Sequence, residues 1–446
     1  MRIAIIGGGA TGVLAALALL QAGRGGDQVV LYEPGVVGTG LAYRVPDETL
    51  LLNVRAYNMS AYADQPGHFV EWLAATQRSA DPEAFVPRSW YAAYLGDTLA
   101  AARAASVVAY RQVAAAVVAV DGVGASAVVT TAAGDREEYD RVVLATGYQQ
   151  PTNPLARWLP TRERVVSGYD WRAVAAIPAQ AAVLIVGMGL TMVDSVATLQ
   201  AAGHQGAVTI WSRHGLQPRV HAPRAGYPAP LTAADAPLPL SGQLRRVRAA
   251  IATAAAEGTP WQAVIDSLRP HTQALWMGYD ASQKARFLRH LRARWDVHRH
   301  RIAPAMATVL ARAQATGRYR FLNGRASHAA ATAQGIQVGV TTPAGQTTVD
   351  AEWVIVCTGP ESDLDLSQNP LVVQLRRDGM LRTDPLHLGV DTAPNGQIVD
   401  RQGEPLPWLW ALGPLRKGML WECIAVPDIR TEAAQLAGNL LAGGAK

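Results

Sequence analysis

Many apolar positions in this chain fall into short continuous runs, and two of the most apolar are closed by glycine. "RIAII" is followed by "GGGATG" and then by a stretch rich in Ala and Leu. A short apolar run bounded by glycine reads as a buried strand, and the longer stretch as a helix. The pattern predicts a strand over 3–6, a helix over 11–22 and a second strand over 29–32. The same order returns in "VLIVGMGLTMVDSV" at 183–196, with its second strand "VTIWSR" at 208–213. Each is a strand–helix–strand unit of about 30 residues.

The remaining segments arrange themselves around these two units. Helices are predicted over 68–76 and 89–105, and alternation over 107–133 predicts antiparallel strands. "VVLATG" places a strand over 142–145. A Pro-rich connector follows over 219–242, then several helices over 243–315 with Arg and His on their polar faces. Strands return at 319–322, 337–342 and 353–357, and the chain closes with a strand, a loop and a helix. The expected fold is α/β: two dinucleotide-binding, Rossmann-like domains, the second inserted in the first, with a helical extension. The expected boundaries are 1–166 with 326–446 for the first domain and 167–325 for the second. The connector and helices span about 219–316 of the second domain.

Composition narrows the class. Apolar residues make up 49% and charged residues 17%, which suits a well-cored globular protein. The formal net charge of +5 comes almost entirely from arginine, since Lys284, Lys417 and Lys446 are the only lysines. The arginines are spread along the chain with no motif to organise them, so a nucleic-acid partner is not expected. Cys357 and Cys423 are far apart and form no C-x-x-C, which argues against a disulfide framework, a cysteine metal site and a dithiol centre. The glycine turn interrupts what would otherwise resemble a signal peptide, and no apolar run is long enough to span a membrane. The expectation is a cytoplasmic protein without a metal, its oligomeric state open.

The glycine turns carry the chemistry. Gly7-x-Gly9-x-x-Gly12 joins a strand to a helix. The first glycine permits the tight turn, the second lets backbone approach a pyrophosphate, and the third lets helix and strand pack closely. Ala10 and Thr11 then stand at a helix N-terminus, whose unpaired N–H groups and dipole favour phosphate. Glu33 ends the second strand, placed to accept hydrogen bonds from an adenosine ribose. The second unit has Gly187 and Gly189, with Leu190 and Thr191 at its helix start, but Met192 replaces the third glycine. The step from Gly7 to Glu33 equals the step from Gly187 to Arg213, with Ser212 beside it. Serine and arginine there suit the 2′-phosphate of NADPH, and NADH less well. Thr146-Gly147 and Thr358-Gly359 are further strand-end turns. Alone they read as strand-end glycines. Beside two nucleotide folds they read as junctions between a flavin domain and a pyridine-nucleotide domain, with backbone against a cofactor.

Five stretches give the chain a family likeness: "LLNVRAYNMSAYADQPGHFVEWL", "FVPRSWYAAYL", "WDVHRHRIAP", "CTGPESDLDLSQNPL" and "LGPLRKGMLWECIAVPDIR". Across essentially its whole length the chain resembles the bacterial FAD/NAD(P)-binding family that includes FAD-dependent urate hydroxylases. At the level of fold it is similar to flavin-containing monooxygenases and ornithine N-hydroxylases. The resemblance implies that Gly7, Gly9, Gly12 and Glu33 hold FAD. It places Asn53, Met59 and Ser60 near the flavin, gives Val113 backbone contacts to adenine, and closes Gly413 and Val426 to Ile429 over the isoalloxazine. In one respect the chain departs from the pattern. Many such flavoproteins carry Gly-Asp near the C-terminus, whereas Pro414 follows Gly413 here; Asp428 is the candidate substitute. In "WDVHRHR", His298 and His300 do not share a helical face, so the segment reads as a polar helix end or interdomain contact. The sharper reading has Arg299 or Arg301 meeting an anionic substrate or phosphate.

These readings converge on an FAD-dependent, NAD(P)H-driven monooxygenase. It would hydroxylate a small polar molecule with O2, through a flavin C4a-(hydro)peroxide. A purine such as urate is suggested by relatives alone; an amine or amino-acid nitrogen is equally open. No residue is assigned as catalytic acid or base, because hydride transfer to flavin needs binding and orientation from the protein. The alternatives are an NAD(P)H:acceptor flavin reductase without oxygen insertion and a non-catalytic flavin redox sensor.

Overall fold

The computed structural model describes residues 1–45, 47–159 and 163–442. The chain divides into two compact units. The first comprises Met1–Arg44, Val54–Gln149 and Glu361–Lys446, and the second Val45–Asn53 and Gln150–Pro360.

The first unit is built on a six-stranded sheet in the order Gln397–Val399, Pro405–Ala411, Arg141–Leu144, Arg2–Ile6, Gln28–Tyr32, Ala109–Val113. All its pairings are parallel except that of Gln397–Val399 with Pro405–Ala411. Parallel strands covered on both faces need continuous apolar runs, which explains "RIAII" and "QVVLY". A three-stranded antiparallel meander, Val117–Val123, Ser126–Thr131 and Arg136–Tyr139, packs on the sheet. Its Val120, Val129 and Tyr139 share a core with Ala4, Ile6, Val30, Val142 and Leu144. Helix Ala10–Ala22 packs against helices Val426–Ala442 and Arg88–Ala105.

The second unit repeats this plan. Its five-stranded sheet is parallel throughout, in the order Tyr319–Asn323, Val208–Ser212, Val183–Val186, Trp353–Val356, Val165–Ser167. The meander Arg325–Ala331, Ile336–Thr342 and Gly345–Ala351 lies between the outer strand and the returning strand in sequence. Val338, Val340 and Val349 of this meander join Leu184, Val186, Val354 and Val356 in one core. The internal similarity therefore extends beyond the two strand–helix–strand units to a meander and a fourth strand in each.

Two differences from the sequence reading have physical causes. The strand Ala109–Val113, expected within an antiparallel run, pairs in parallel with Gln28–Tyr32. It is an edge strand with exposed positions, so its side-chain pattern looks like a hairpin strand. The second unit is also longer than 167–325. It takes in Val165–Ser167 and Trp353–Val356, because these strands pair within its own sheet, and it keeps the meander, which shares its core. The Pro-rich connector contains one 3-10 turn, Ala233–Asp235, before helix Leu240–Ala256 begins. The connector and the helices beyond it form a separate core of Leu231, Ala236, Ile265, Leu268 and Leu275.

Candidate dinucleotide sites

Gly7 has φ +104°, which an L side chain rarely adopts. A Cβ there would fall 2.6 Å from the Ala145 carbonyl oxygen, so the strand-end turn at 145–147 lies directly on it. The Gly7 N–H donates to Tyr32 O (2.9 Å), and Ala145 N–H donates to Ile6 O (2.8 Å). A Cβ on Gly12 would sit 1.8 Å from Gly7 O, so only glycine lets the helix start this close to the turn. Gly9 caps helix Ala10–Ala22 with no side-chain bond, and no acidic residue occupies the first turn. The helix N-terminus at Ala10 and Thr11 thus lacks the internal anion that side-chain capping supplies.

Glu33 serves this loop directly. Its two carboxylate oxygens accept from Gly8 N and Gly35 N, each at 2.8 Å. Each oxygen retains acceptor capacity for a further donor. The segment after Glu33 folds back over the turn: Gly38 N–H donates to Gly8 O (2.8 Å), and a Cβ on Gly9 would meet Gly40 Cα at 3.3 Å. Gly8 lies within "GGGATG", and the glycine spacing of "GVVGTG" carries the signal for Gly38 and Gly40. Gly147 has φ +66°, and the Thr146 hydroxyl oxygen is buried without a hydrogen-bond partner.

Other expected flavin-side residues are distributed unevenly. Met59 and Ser60 are buried in the first unit, and Ser60 Oγ is engaged within its own loop, donating to Gln65 O at 2.6 Å. The Ser60 carbonyl accepts from Arg430 Nη1 at 2.8 Å. Asn53 falls in the second unit, where its carbonyl oxygen lies 3.0 Å from His221 Nε2. The Val113 carbonyl already accepts from Glu33 N (3.0 Å) and Ala115 N (2.9 Å). Val426 and Ile429 are buried at the start of the last helix, with Asp428 in its first turn.

Gly413 has φ +69°, and a Cβ on it would strike Thr11 Cγ2 at 2.9 Å. The turn it opens therefore lies on the N-terminus of the first helix. The carboxylate that accepts its N–H is Glu432 (3.2 Å), rather than Asp428. Glu432 also accepts from Arg416 Nη1 at 2.7 Å, and both side chains are buried. Asp428 and Glu432 are one helical turn apart and so share a face, which is why spacing alone did not separate them.

The second turn reproduces the first. Gly187 has φ +111°, its N–H donates to Trp211 O (2.8 Å), and Cys357 N–H donates to Val186 O (2.7 Å). A Cβ on Gly187 would fall 2.1 Å from Cys357 O. Gly189 caps helix Leu190–Ala201 with no side-chain bond, and the first turn holds no acid. Met192 is buried where Gly12 stood, and the first helical bond is longer: Val193 N to Gly189 O is 3.4 Å, against 3.0 Å for Val13 N to Gly9 O. At the strand end, Ser212 Oγ accepts from Gly215 N at 3.0 Å. Arg213 is exposed, and among the described residues it makes no ion pair with an acidic group.

Residues 4–149 match a family model described as FAD-NAD(P)-binding. The matched segment contains the first glycine turn, Glu33 and Thr146-Gly147. No curated protein sequence matches the chain. Several solved structures share its fold along nearly the entire length. L-lysine 6-monooxygenase from Pseudomonas syringae is 16% identical with a TM-score of 0.68, covering 99% of each chain. Ornithine N-hydroxylase from Kutzneria sp. 744, described with reduced FAD, NADP+ and L-ornithine, is 15% identical with a TM-score of 0.64, covering 98% of each chain. Bacillithiol disulfide reductase from Staphylococcus aureus is 14% identical with a TM-score of 0.55, covering 100% of this chain and 99% of that one. The fold is that of two-domain FAD/NAD(P)-binding flavoenzymes.

The residues present fit two dinucleotides. Each unit offers a glycine cradle that a Cβ would fill and a helix N-terminus without a capping side chain. The first adds a carboxylate, Glu33, at the end of its second strand and an orphaned buried hydroxyl on Thr146. The second adds an unneutralised guanidinium at Arg213 in the corresponding place. In the segment 298–301, His298 Nδ1 lies 2.7 Å from Arg294 O, and buried Arg301 pairs with Asp266 and lies 5.9 Å from the Trp261 ring centroid. Among the described residues no helix is long and apolar enough to cross a membrane.

Proposed function

We propose that this chain is an FAD-dependent monooxygenase that takes hydride from NADPH and uses O2 to hydroxylate a small polar molecule. The observation that carries the reading is the pair of matching glycine turns with opposite charges at their strand ends. Glu33 suits an unmodified ribose, and Arg213 suits a ribose 2′-phosphate. One site therefore selects FAD and the other NADPH. FAD, when bound, supplies the chemistry that accepts hydride and reacts with oxygen. The protein supplies binding, orientation and exclusion of water.

Where the electrons leave distinguishes a monooxygenase from the disulfide reductases that share the fold. Burial pushes the Cys357 thiol up to about 12 and the Cys423 thiol well above its ordinary value. Both cysteines are buried and far apart in sequence, and a buried neutral thiol is inert in exchange chemistry. A protein dithiol relay is thus unsupported, and oxygen is the favoured outlet. The lysine and ornithine hydroxylases of the same fold support an amine nitrogen as the first substrate class to try, with purines beside it.

The test is incorporation of label. Enzyme, NADPH and labelled O2 are incubated with a panel of amines, amino acids and purines, and products are read by mass spectrometry. One labelled oxygen atom is expected in the product of the true substrate. Efficient reduction of a quinone or dye, with no label in any product, would favour the reductase reading instead.

A further inference from the structure

The last helix and the turn before it hold a buried ion pair that the hydride chemistry does not use. Arg416 and Glu432 are 4% and 5% exposed. Arg416 Nη1 donates to Glu432 Oε1 (2.7 Å), while Glu432 Oε2 accepts from Gly413 N (3.2 Å). The rest of the guanidinium is spent on the neighbouring loop: Nη2 donates to Pro394 O (2.9 Å) and Ala393 O (3.3 Å), and Nε to Thr392 Oγ1 (3.4 Å). The segment between is held in costly conformations. Trp421 has φ +62° and ψ −62°, and Glu422 N–H donates to Leu420 O at 2.7 Å across it. This is the rare γ-turn that bulky residues avoid. A Cβ on Gly418 would fall 2.4 Å from Asp384 Cγ, so the other side is pinned as well.

We propose that Arg416 and Glu432 are a positioning pair for FAD. Their ionised form fastens the Gly413 turn against Thr11, at the helix N-terminus where the first glycine loop would hold the pyrophosphate. The pair takes over the role that a Gly-Asp acid fills elsewhere, with the carboxylate supplied from the helix instead of the turn. The inference rests on the assignment of FAD to the first unit.

Energetics separate this role from simple structural support. A buried ion pair is seldom worth its desolvation for stability alone. Burial raises the Glu432 carboxyl from its ordinary value to about 7, against the pull of Arg416 and the Gly413 N–H. A folded-state value above the unfolded one means that this group favours folding at low pH. The contribution is lost as pH rises from the ordinary glutamate range to about 7. The ionised form thus costs folding stability, as groups tuned for a site commonly do. The other charge acting on Glu432 is Asp428, one turn earlier on its own helix; the buried Cys423 thiol, which Glu432, Arg416 and Lys417 in turn influence, stays neutral. The 392–394 loop contributes only neutral groups to the pair.

FAD affinity and apoprotein stability should therefore move in opposite directions with pH. The experiment strips FAD from the full chain and measures its Kd by flavin fluorescence from about pH 8.5 to about pH 6, with the apoprotein Tm at each point. In the wild type, Kd should weaken as pH falls, by up to about tenfold per pH unit, while the apoprotein gains stability from this group. Glu432→Gln should bind FAD weakly at every pH, with a flat profile. A wild-type Kd indifferent to pH, or a folded Glu432→Gln variant with the wild-type Kd and profile, would overturn the proposal. If Glu432→Gln does not fold, the wild-type series decides alone. Failure to bind FAD at any pH would overturn the cofactor assignment and the pair's role with it. Tight FAD binding insensitive to pH would remove the pair's role and leave that assignment standing.

Discussion

In the proposed function two side chains, Glu33 and Arg213, divide the labour between the cofactors. Glu33 meets Gly8 and Gly35 through their N–H groups, so it both shapes the first loop and keeps acceptor capacity for a ribose. Arg213 stands exposed at the equivalent strand end, where a phosphate has only to displace water. Arg213→Ala should weaken NADPH roughly 10–150-fold, the worth of a charge-assisted contact, and leave NADH nearly unchanged. Steady-state kinetics with both coenzymes checks this; equal losses for the two would show that Arg213 does not read the 2′-phosphate. Gly9→Val places a branched side chain beside Gly40, whose Cα is 3.3 Å from the Cβ position. That variant should fold and purify without flavin, as absorbance would reveal. At this level the sequence was most legible where a backbone demand admits one residue type, as at Gly7 and Gly12. It was least legible at Glu432, because a helix offers the same face to residues 428 and 432. Ser60 and Val113 show a second limit. Their types suit a contact, but the Ser60 hydroxyl and the Val113 carbonyl are engaged inside the fold.

Strands and helices obey their apolar patterns where both faces are buried. "RIAII" and "VLIV" are central strands with nearly every residue buried, and their shortness and bounding glycines favour strand over helix. Edge strands are harder, since exposure restores alternation and hides whether the partner runs parallel, as with Ala109–Val113. The two glycine turns are elements in their own right, each clamped by a neighbouring strand end. Gly187→Ala would need the carbonyl of Cys357 to retreat from a 2.1 Å contact, in a conformation with φ +111°. Overpacking of this kind costs about 1–3 kcal/mol. The variant should keep FAD in the first unit yet lose reduction by NADPH. Flavin absorbance with and without NADPH tests both halves, and normal reduction would show that this turn does not serve the coenzyme.

The molecule uses one plan twice: a parallel sheet, a glycine turn, an antiparallel meander and a returning strand. In the proposed function one copy of the plan holds the flavin and the other the hydride donor. The second copy shows its specialisation in three places, with Met192 for the third glycine, Arg213 for the acid, and a helical extension of its own core. The duplicated turns were readable in the sequence because they are local. The meanders' membership was not, because pairing over long separations decides it. The claim that joins these parts is that NADPH reduces FAD within this chain. Anaerobic stopped-flow mixing of the FAD-loaded protein with NADPH or NADH tests it most directly, following the loss of oxidised-flavin absorbance. The predicted result is full bleaching in one turnover, faster and at lower concentration with NADPH. Flavin that stays oxidised with both coenzymes would contradict the account.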